Sequence, residues 1–125
     1  MNWYFNGRLV PAKEPVLPLN ELGLLRGFGI FDFFLVEEGV PIFYEGYEAR
    51  FMASARKLGL TVPLPAHELR RAVGALLERN GESHAAIRLL LTGGFSPDGY
   101  SPGPSNLAIL QHPYVPYPAE QCERG

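Results

Sequence analysis

Two hydrophobic rhythms divide this chain: short apolar runs near both ends and a helical period in the middle. Trp3-Tyr4-Phe5 and Arg8-Leu9-Val10 flank Asn6-Gly7. Asn-Gly between short apolar runs is the strongest local signal for a two-residue type I′ hairpin, because both turn residues must take a positive φ. Residues 11–22 carry Pro11, Pro15 and Pro18 and read as a loop. The run over 30–36 is apolar except for Asp32 and predicts a long strand, turned at Glu38-Gly39 into a second strand over 40–43. From Tyr44 the rhythm changes. Tyr47, Phe51, Ser54/Ala55 and Leu58 recur at helical spacing, with Gly59 as the stop. Pro63 and Pro65 introduce a second helix whose stripe is Leu69, Val73, Leu76 and Leu77, ended by Asn80-Gly81. Strands over 85–92 and 107–111 follow, separated by the Gly- and Pro-rich loop 93–104. From His112 onward no apolar period remains, and the tail reads as a linker or cut end.

Strands, two helices, then strands predict an α+β domain: a mostly antiparallel sheet with two helices on one face. A half-buried strand alternates apolar and polar residues. The strand over 30–36 does not: Ile30, Phe34 and Val36 share one face, while Phe31, Phe33 and Leu35 share the other. The run over 107–110 is also apolar on both faces. Two helices cover one face of such a sheet, so another domain, a partner subunit or a cofactor site is expected to cover the second.

Composition narrows the class without naming a chemistry. The 125 residues are 46% hydrophobic and 19% charged, with a net charge of −2. That is an ordinary globular balance, with no basic surplus for nucleic acid or anionic membrane. No apolar run reaches the roughly 20 residues of a transmembrane helix, and Met1-Asn2-Trp3-Tyr4 does not open like a secretory signal. A single cysteine, Cys122, excludes a disulfide framework and points to the cytoplasm. His67, His84 and His112 are scattered without metal-ligand spacing. Gly27-Phe28-Gly29 precedes a strand, whereas a dinucleotide fingerprint follows one. Ser96 is not in a nucleophile elbow.

Two arginines stand out. Arg88 lies mid-strand in Ala86-Ile87-Arg88-Leu89-Leu90-Leu91, where a buried guanidinium needs a partner. Either it makes a structural ion pair, with Asp32 as candidate, or it forms an anion site for a substrate carboxylate. Arg50 lies on the first helix beside the core residue Phe51. It is either a solvated surface cation or a charge at the border of the apolar stripe, able to reach into a cleft.

Five motifs occur in order: Phe5-Asn6-Gly7; Gly27-Phe28-Gly29-Ile30-Phe31-Asp32; Glu38-Gly39; Arg50-Phe51-x-x-Ser54-Ala55 leading to Lys57-Leu58-Gly59; and Ala85-x-Ile87-Arg88-Leu89-x-x-Thr92-x-Gly94. Together they resemble the N-terminal domain of class IV (fold-type IV) pyridoxal-phosphate enzymes, the branched-chain aminotransferases, D-amino-acid transaminases and aminodeoxychorismate lyases. The resemblance covers about residues 3–118, and 119–125 would begin the interdomain linker. It implies pyridoxal 5′-phosphate as cofactor, with Arg50 on its phosphate and Phe31 and Phe33 lining the substrate pocket. Arg88 lies in the active-site region and would meet a carboxylate. Arg26 stands where the family commonly has an aromatic residue, which suits an anionic substrate. Asp32-Phe33 replaces the Glu-Gly of branched-chain enzymes, so a bulky ring alters the pocket. The resemblance implies a homodimer acting on an amino acid and a 2-oxo acid. In the family the lysine that carries the cofactor lies in a C-terminal domain. Lys13 and Lys57 are both expected to be solvated, so these residues alone are expected to be catalytically silent. A lyase, or a non-catalytic binding or dimerisation module with the same fold, is the alternative.

Overall fold

The computed structural model of the chain describes residues 1–14 and 20–114; Pro15 and Pro18 of the expected loop, and the linker expected at 119–125, lie outside the described residues. Strands β1 (Asn2–Phe5) and β2 (Arg8–Pro11) pair antiparallel around Asn6 and Gly7, whose φ angles are 47° and 95°. Glu38 and Gly39, at 51° and 77°, make the same kind of turn between β3 (Gly29–Glu37) and β4 (Val40–Pro41). Positive φ at both positions gives the turn the twist of its flanking strands. β4 is shorter than expected because Phe43 adopts a left-handed φ of 55° and launches α2 (Tyr44–Leu58) directly.

Gly59, at φ 70°, ends α2, and its N–H returns to the carbonyls of Ala55 and Arg56. α3 (Ala66–Asn80) ends the same way at Gly81. The predicted stripe of α3 is buried throughout. In α2, Phe51 and Ala55 are buried, but Leu58, in the last turn, is exposed. A third helix, α1 (Leu22–Arg26), falls at the end of the segment expected to be loop. Five residues are too few to establish a period. Its ends are nonetheless well made, with the Glu21 side chain on the N–H of Leu24 and Gly27 closing the last turn at φ 63°.

β5 (Ala85–Thr92) and β6 (Asn106–Pro113) complete a six-stranded antiparallel sheet in the order β2-β1-β6-β5-β3-β4. β6 runs two residues past the expected end, paired to β5 as far as Ala85↔Pro113. The core lies between the helices and one face, where Phe34, Phe51, Leu69, Leu76, Ile87 and Ile109 are buried. The second face carries Phe31 opposite Leu90, and Phe33 opposite Arg88, which in turn faces Leu110. Phe31 is 69% exposed and Phe33 40%. The doubled apolar pattern of the strands therefore produces one core and one open apolar face. Burying a phenylalanine is worth roughly 1.5–3 kcal/mol, and on this face that gain is not taken.

Candidate active site

β3 sets the geometry because most of it is an edge strand. β5 pairs with it from Gly29 to Val36, whereas β4 pairs only with Val36 and Glu37. Among the described residues, the first part of β3 thus has one bare edge, from which side chains leave alternately to both faces.

Asp32 leaves toward the helices and is buried, 5% exposed. Its carboxylate accepts three donors. The N–H of Phe33 meets Oδ1 at 2.9 Å, Nε of Arg50 meets Oδ2 at 2.9 Å, and Nη2 of Arg50 closes onto Oδ1. A two-pronged arginine–carboxylate pair fixes direction as well as distance. The guanidinium also lies over the ring of Tyr47, 4.9 Å from its centroid. Tyr47 is three residues earlier on α2 and so on the same helix face. The Arg50 side chain remains 63% exposed. Among the described residues, Asp32 supplies its only protein acceptors, and Nη1 is free. Burial pushes the Asp32 carboxyl up. Hydrogen bonds from Arg50 and from the Phe33 N–H, with the Arg50 charge, outweigh that and hold it below the usual carboxylate value. Hydrogen bonds to Asp32 in turn raise Arg50.

The ion pair between Arg88 and Asp32, one of the two expectations for Arg88, does not form. In register Asp32 faces Leu89 and Arg88 faces Phe33, so the two side chains leave opposite sides of the sheet. Arg88 is exposed, not buried, and its guanidinium stands 6.0 Å from the centroid of Phe31. Phe31, Phe33 and Arg88 are thus together on the open face. Arg26, in the last turn of α1, is exposed and lies over the Tyr100 ring at 5.3 Å. A shallow groove of about 380 Å³ joins α1 to the open face, walled by Leu24, Gly27, Gly29, Phe31, Leu90 and Thr92. Gly29 has to be glycine here, because a Cβ would run into the carbonyl of Leu91. Arg50 does not line this groove. It sits around the bare edge of β3, on the helix side.

A polar network braces the same end of the sheet. The buried carboxylate of Glu21 accepts the N–H of Leu24 at 3.0 Å, the Thr92 hydroxyl, and the Asn106 amide at 3.2 Å. Asn106 accepts from Asn6 at 2.9 Å, and Asn6 accepts the N–H of Leu107 at 2.8 Å. The first hairpin turn, the end of β5, the start of β6 and α1 are thereby tied together. Nothing in the spacing of Glu21 and Asn106 marks them out in sequence, whereas Thr92 belongs to the motif that runs from Ala85 to Gly94. Tyr47 did carry a signal, its helical spacing to Arg50. Another concavity, of about 990 Å³, lies between the β3–β4 turn and the helices and includes none of these residues. Lys13 and Lys57 are exposed and line neither concavity.

An antiparallel sheet with helices on one face is the arrangement expected from the resemblance to class IV pyridoxal-phosphate enzymes. Residues 29–124 match the family described as amino-transferase class IV, and the chain belongs to that family. It is 29% identical over 99 residues to the aminodeoxychorismate lyase of Bacillus subtilis, covering 78% of this chain and 34% of the relative. With the D-alanine aminotransferase of Staphylococcus epidermidis it shares 26% identity over 125 residues, covering 98% of this chain and 44% of the other. Among solved structures, the branched-chain amino acid aminotransferase of Escherichia coli superposes with a TM-score of 0.85 at 22% identity. That match covers 95% of this chain and 42% of that one, and it shows the shared fold. The chain therefore spans less than half the length of these relatives. Enzymes of this family depend on pyridoxal 5′-phosphate. Among the described residues, no helix is long and apolar enough to cross a membrane.

Proposed function

We propose that residues 1–118 form the cofactor-phosphate and substrate-pocket domain of a pyridoxal-phosphate enzyme that transfers an amino group between an amino acid and a 2-oxo acid. The observation that carries this reading is the Arg50 guanidinium, fixed on Asp32 and with N–H groups that meet no acceptor among the described residues, at the rim of the sheet edge. A phosphate dianion fits such a planar donor edge. Phe31 and Phe33, exposed around the same edge, suit the wall of a pocket for a flat ring and an apolar substrate side chain. Arg88, which meets no carboxylate among the described residues, would receive a substrate carboxylate on the open face. Arg26 is a second cation, in the last turn of α1. When bound, the cofactor supplies an electron sink for the substrate's Cα–H bond. The chain's part is to bind, orient and shield from water.

The reading extends to a homodimer, working in the cytoplasm, in which a second domain supplies the lysine that attaches the cofactor and covers the open face. The match at 34–44% of the relatives' length supports that division. A lyase is the second reading, favoured by the 29% identity to the Bacillus subtilis enzyme. Assaying the intact protein on amino acid and 2-oxo acid pairs, and in parallel on aminodeoxychorismate, separates the two. Inertness in both assays would favour a non-catalytic module.

The direct test is Arg50→Ala in the intact protein. Pyridoxal phosphate affinity is expected to fall at least about tenfold, the cost of one charge-assisted contact. Undiminished affinity removes Arg50 from the site. Reductive trapping of the cofactor on Lys13 or Lys57 at stoichiometric yield would overturn the assignment of the lysine to another domain.

A further inference from the structure

Arginine has long, freely rotating bonds, and an exposed one ordinarily samples many orientations. Arg50 does not have that freedom. Asp32 takes its Nε and Nη2, and the Tyr47 ring supports one face of the guanidinium plane. Asp32 is itself immobile: it is on a strand, it is buried, and its Oδ1 is held by the N–H of Phe33. That N–H bond matters at a bare strand edge, because it ties the carboxylate to the backbone carrying Phe31 and Phe33.

We infer that Asp32, with Tyr47, is the positioning residue for the anion-binding arginine, turning the free Nη1 edge of Arg50 toward a phosphate group and coupling it to the strand of Phe31 and Phe33. The inference rests on the phosphate role of Arg50 proposed above. Pairing has a physical consequence for affinity. The pair is neutral overall, so an anion meets oriented N–H groups more than a bare positive charge. Replacing Asp32 by a neutral side chain then has two opposed effects. It frees a full charge, which attracts phosphate and is screened by salt, and it releases the guanidinium, which must be ordered again each time an anion binds. At a side chain as exposed as Arg50, water weakens the first effect, so the second dominates.

The test compares equilibrium binding of pyridoxal 5′-phosphate and of pyridoxal, which lacks the phosphate, to the intact protein. The variants are Asp32→Asn, Asp32→Glu, Tyr47→Leu, Arg50→Ala and the double variant Asp32→Asn with Arg50→Ala. Asp32→Asn is expected to weaken pyridoxal phosphate about three- to tenfold, from the reordering of one long side chain. Pyridoxal affinity should not change, and binding should become more sensitive to salt. Asp32→Glu restores the carboxylate and recovers part of the loss. In the double variant, the asparagine adds nothing to the loss caused by Arg50→Ala. A purely structural role for Asp32 would instead weaken both ligands equally and leave the salt dependence unaltered, and it would overturn the inference. If Arg50→Ala weakens phosphate binding while Asp32→Asn and Tyr47→Leu do not, positioning is wrong and the arginine's role stands. If Arg50→Ala itself has no effect, the proposed phosphate site fails first. Should Asp32→Asn not fold, Tyr47→Leu and Asp32→Glu decide: unchanged phosphate selectivity in both would sink the idea.

Discussion

Asp32 and Arg50 show how a single carboxylate is used at a sheet edge: it satisfies a backbone N–H, orients a cation and stays ionised. Because its carboxyl is held below the usual value, Asp32 contributes stability that is complete above its unfolded pKa of about 3.9 and is lost as the pH falls through the lower folded value. Asp98 behaves alike. The N–H groups of Ser101 and Tyr100, and the hydroxyls of Ser101 and Ser96, hold its carboxyl well below the usual range. The urea midpoint is therefore expected to be flat from neutral pH down to about pH 5 and to fall steeply below about pH 4. Asp32→Asn should make that fall shallower. An equally steep decline in the variant would mean other carboxylates govern it. Glu21 makes a different demand, since its partners are neutral: an N–H of α1, the last residue of β5 and the first of β6. Glu21→Ala removes the side-chain acceptor of the buried Asn106 amide and of the Thr92 hydroxyl, while the Leu24 N–H keeps the Glu21 carbonyl, and is expected to cost about 1–3 kcal/mol in urea unfolding.

At the scale of elements, helix and strand are held by different means. α3 is held by its stripe, of which Leu69 and Leu76 are fully buried, whereas α2 buries only Tyr44, Phe51 and Ala55 and leaves Leu58 outside. Leu76→Ala should cost about 2–5 kcal/mol, the range for a leucine removed from a packed core. Leu58→Ala should stay within about 0.5 kcal/mol, the usual range for a surface change. Comparable losses from the two would mean that α2 packs along its whole length. β3 is the element that joins core and site. Phe34 and Val36 anchor it under the helices, and Phe31 and Phe33 face away. That division lets a strand fixed by the core present rigid aromatic side chains elsewhere.

For the whole molecule, the main feature is an asymmetric sheet: one face packed against helices, the other apolar and open. Contiguous exposed apolar surface of this kind marks a contact region. Under the proposed reading, the cofactor, a second domain and a second copy share that face. Phe31→Asp in the intact protein is then expected to weaken subunit or domain association, seen as a concentration-dependent shift in sedimentation, with the far-ultraviolet circular dichroism unchanged. Association unaffected by the charge would show that the face near Phe31 is lined for ligand and not for protein.

The local features were legible in the residues alone. Asn6-Gly7 and Glu38-Gly39 specify their turns through positive φ, Gly59 and Gly81 end their helices, and the 69-73-76-77 stripe names the buried side of α3. The doubled apolar faces of the strands announced a surface that the described residues do not cover. Only the tertiary structure decided which carboxylate meets which arginine, since that depends on the register of β3 against β5. A shift of one residue moves a side chain to the other face, and it separates Arg88 from Asp32. It also decided the links from Arg50 to Asp32, from Thr92 to Glu21 and from Asn106 to Glu21, which join residues 18, 71 and 85 positions apart. Period and turn chemistry act over a few residues. Partners this distant are chosen by how the whole sheet closes.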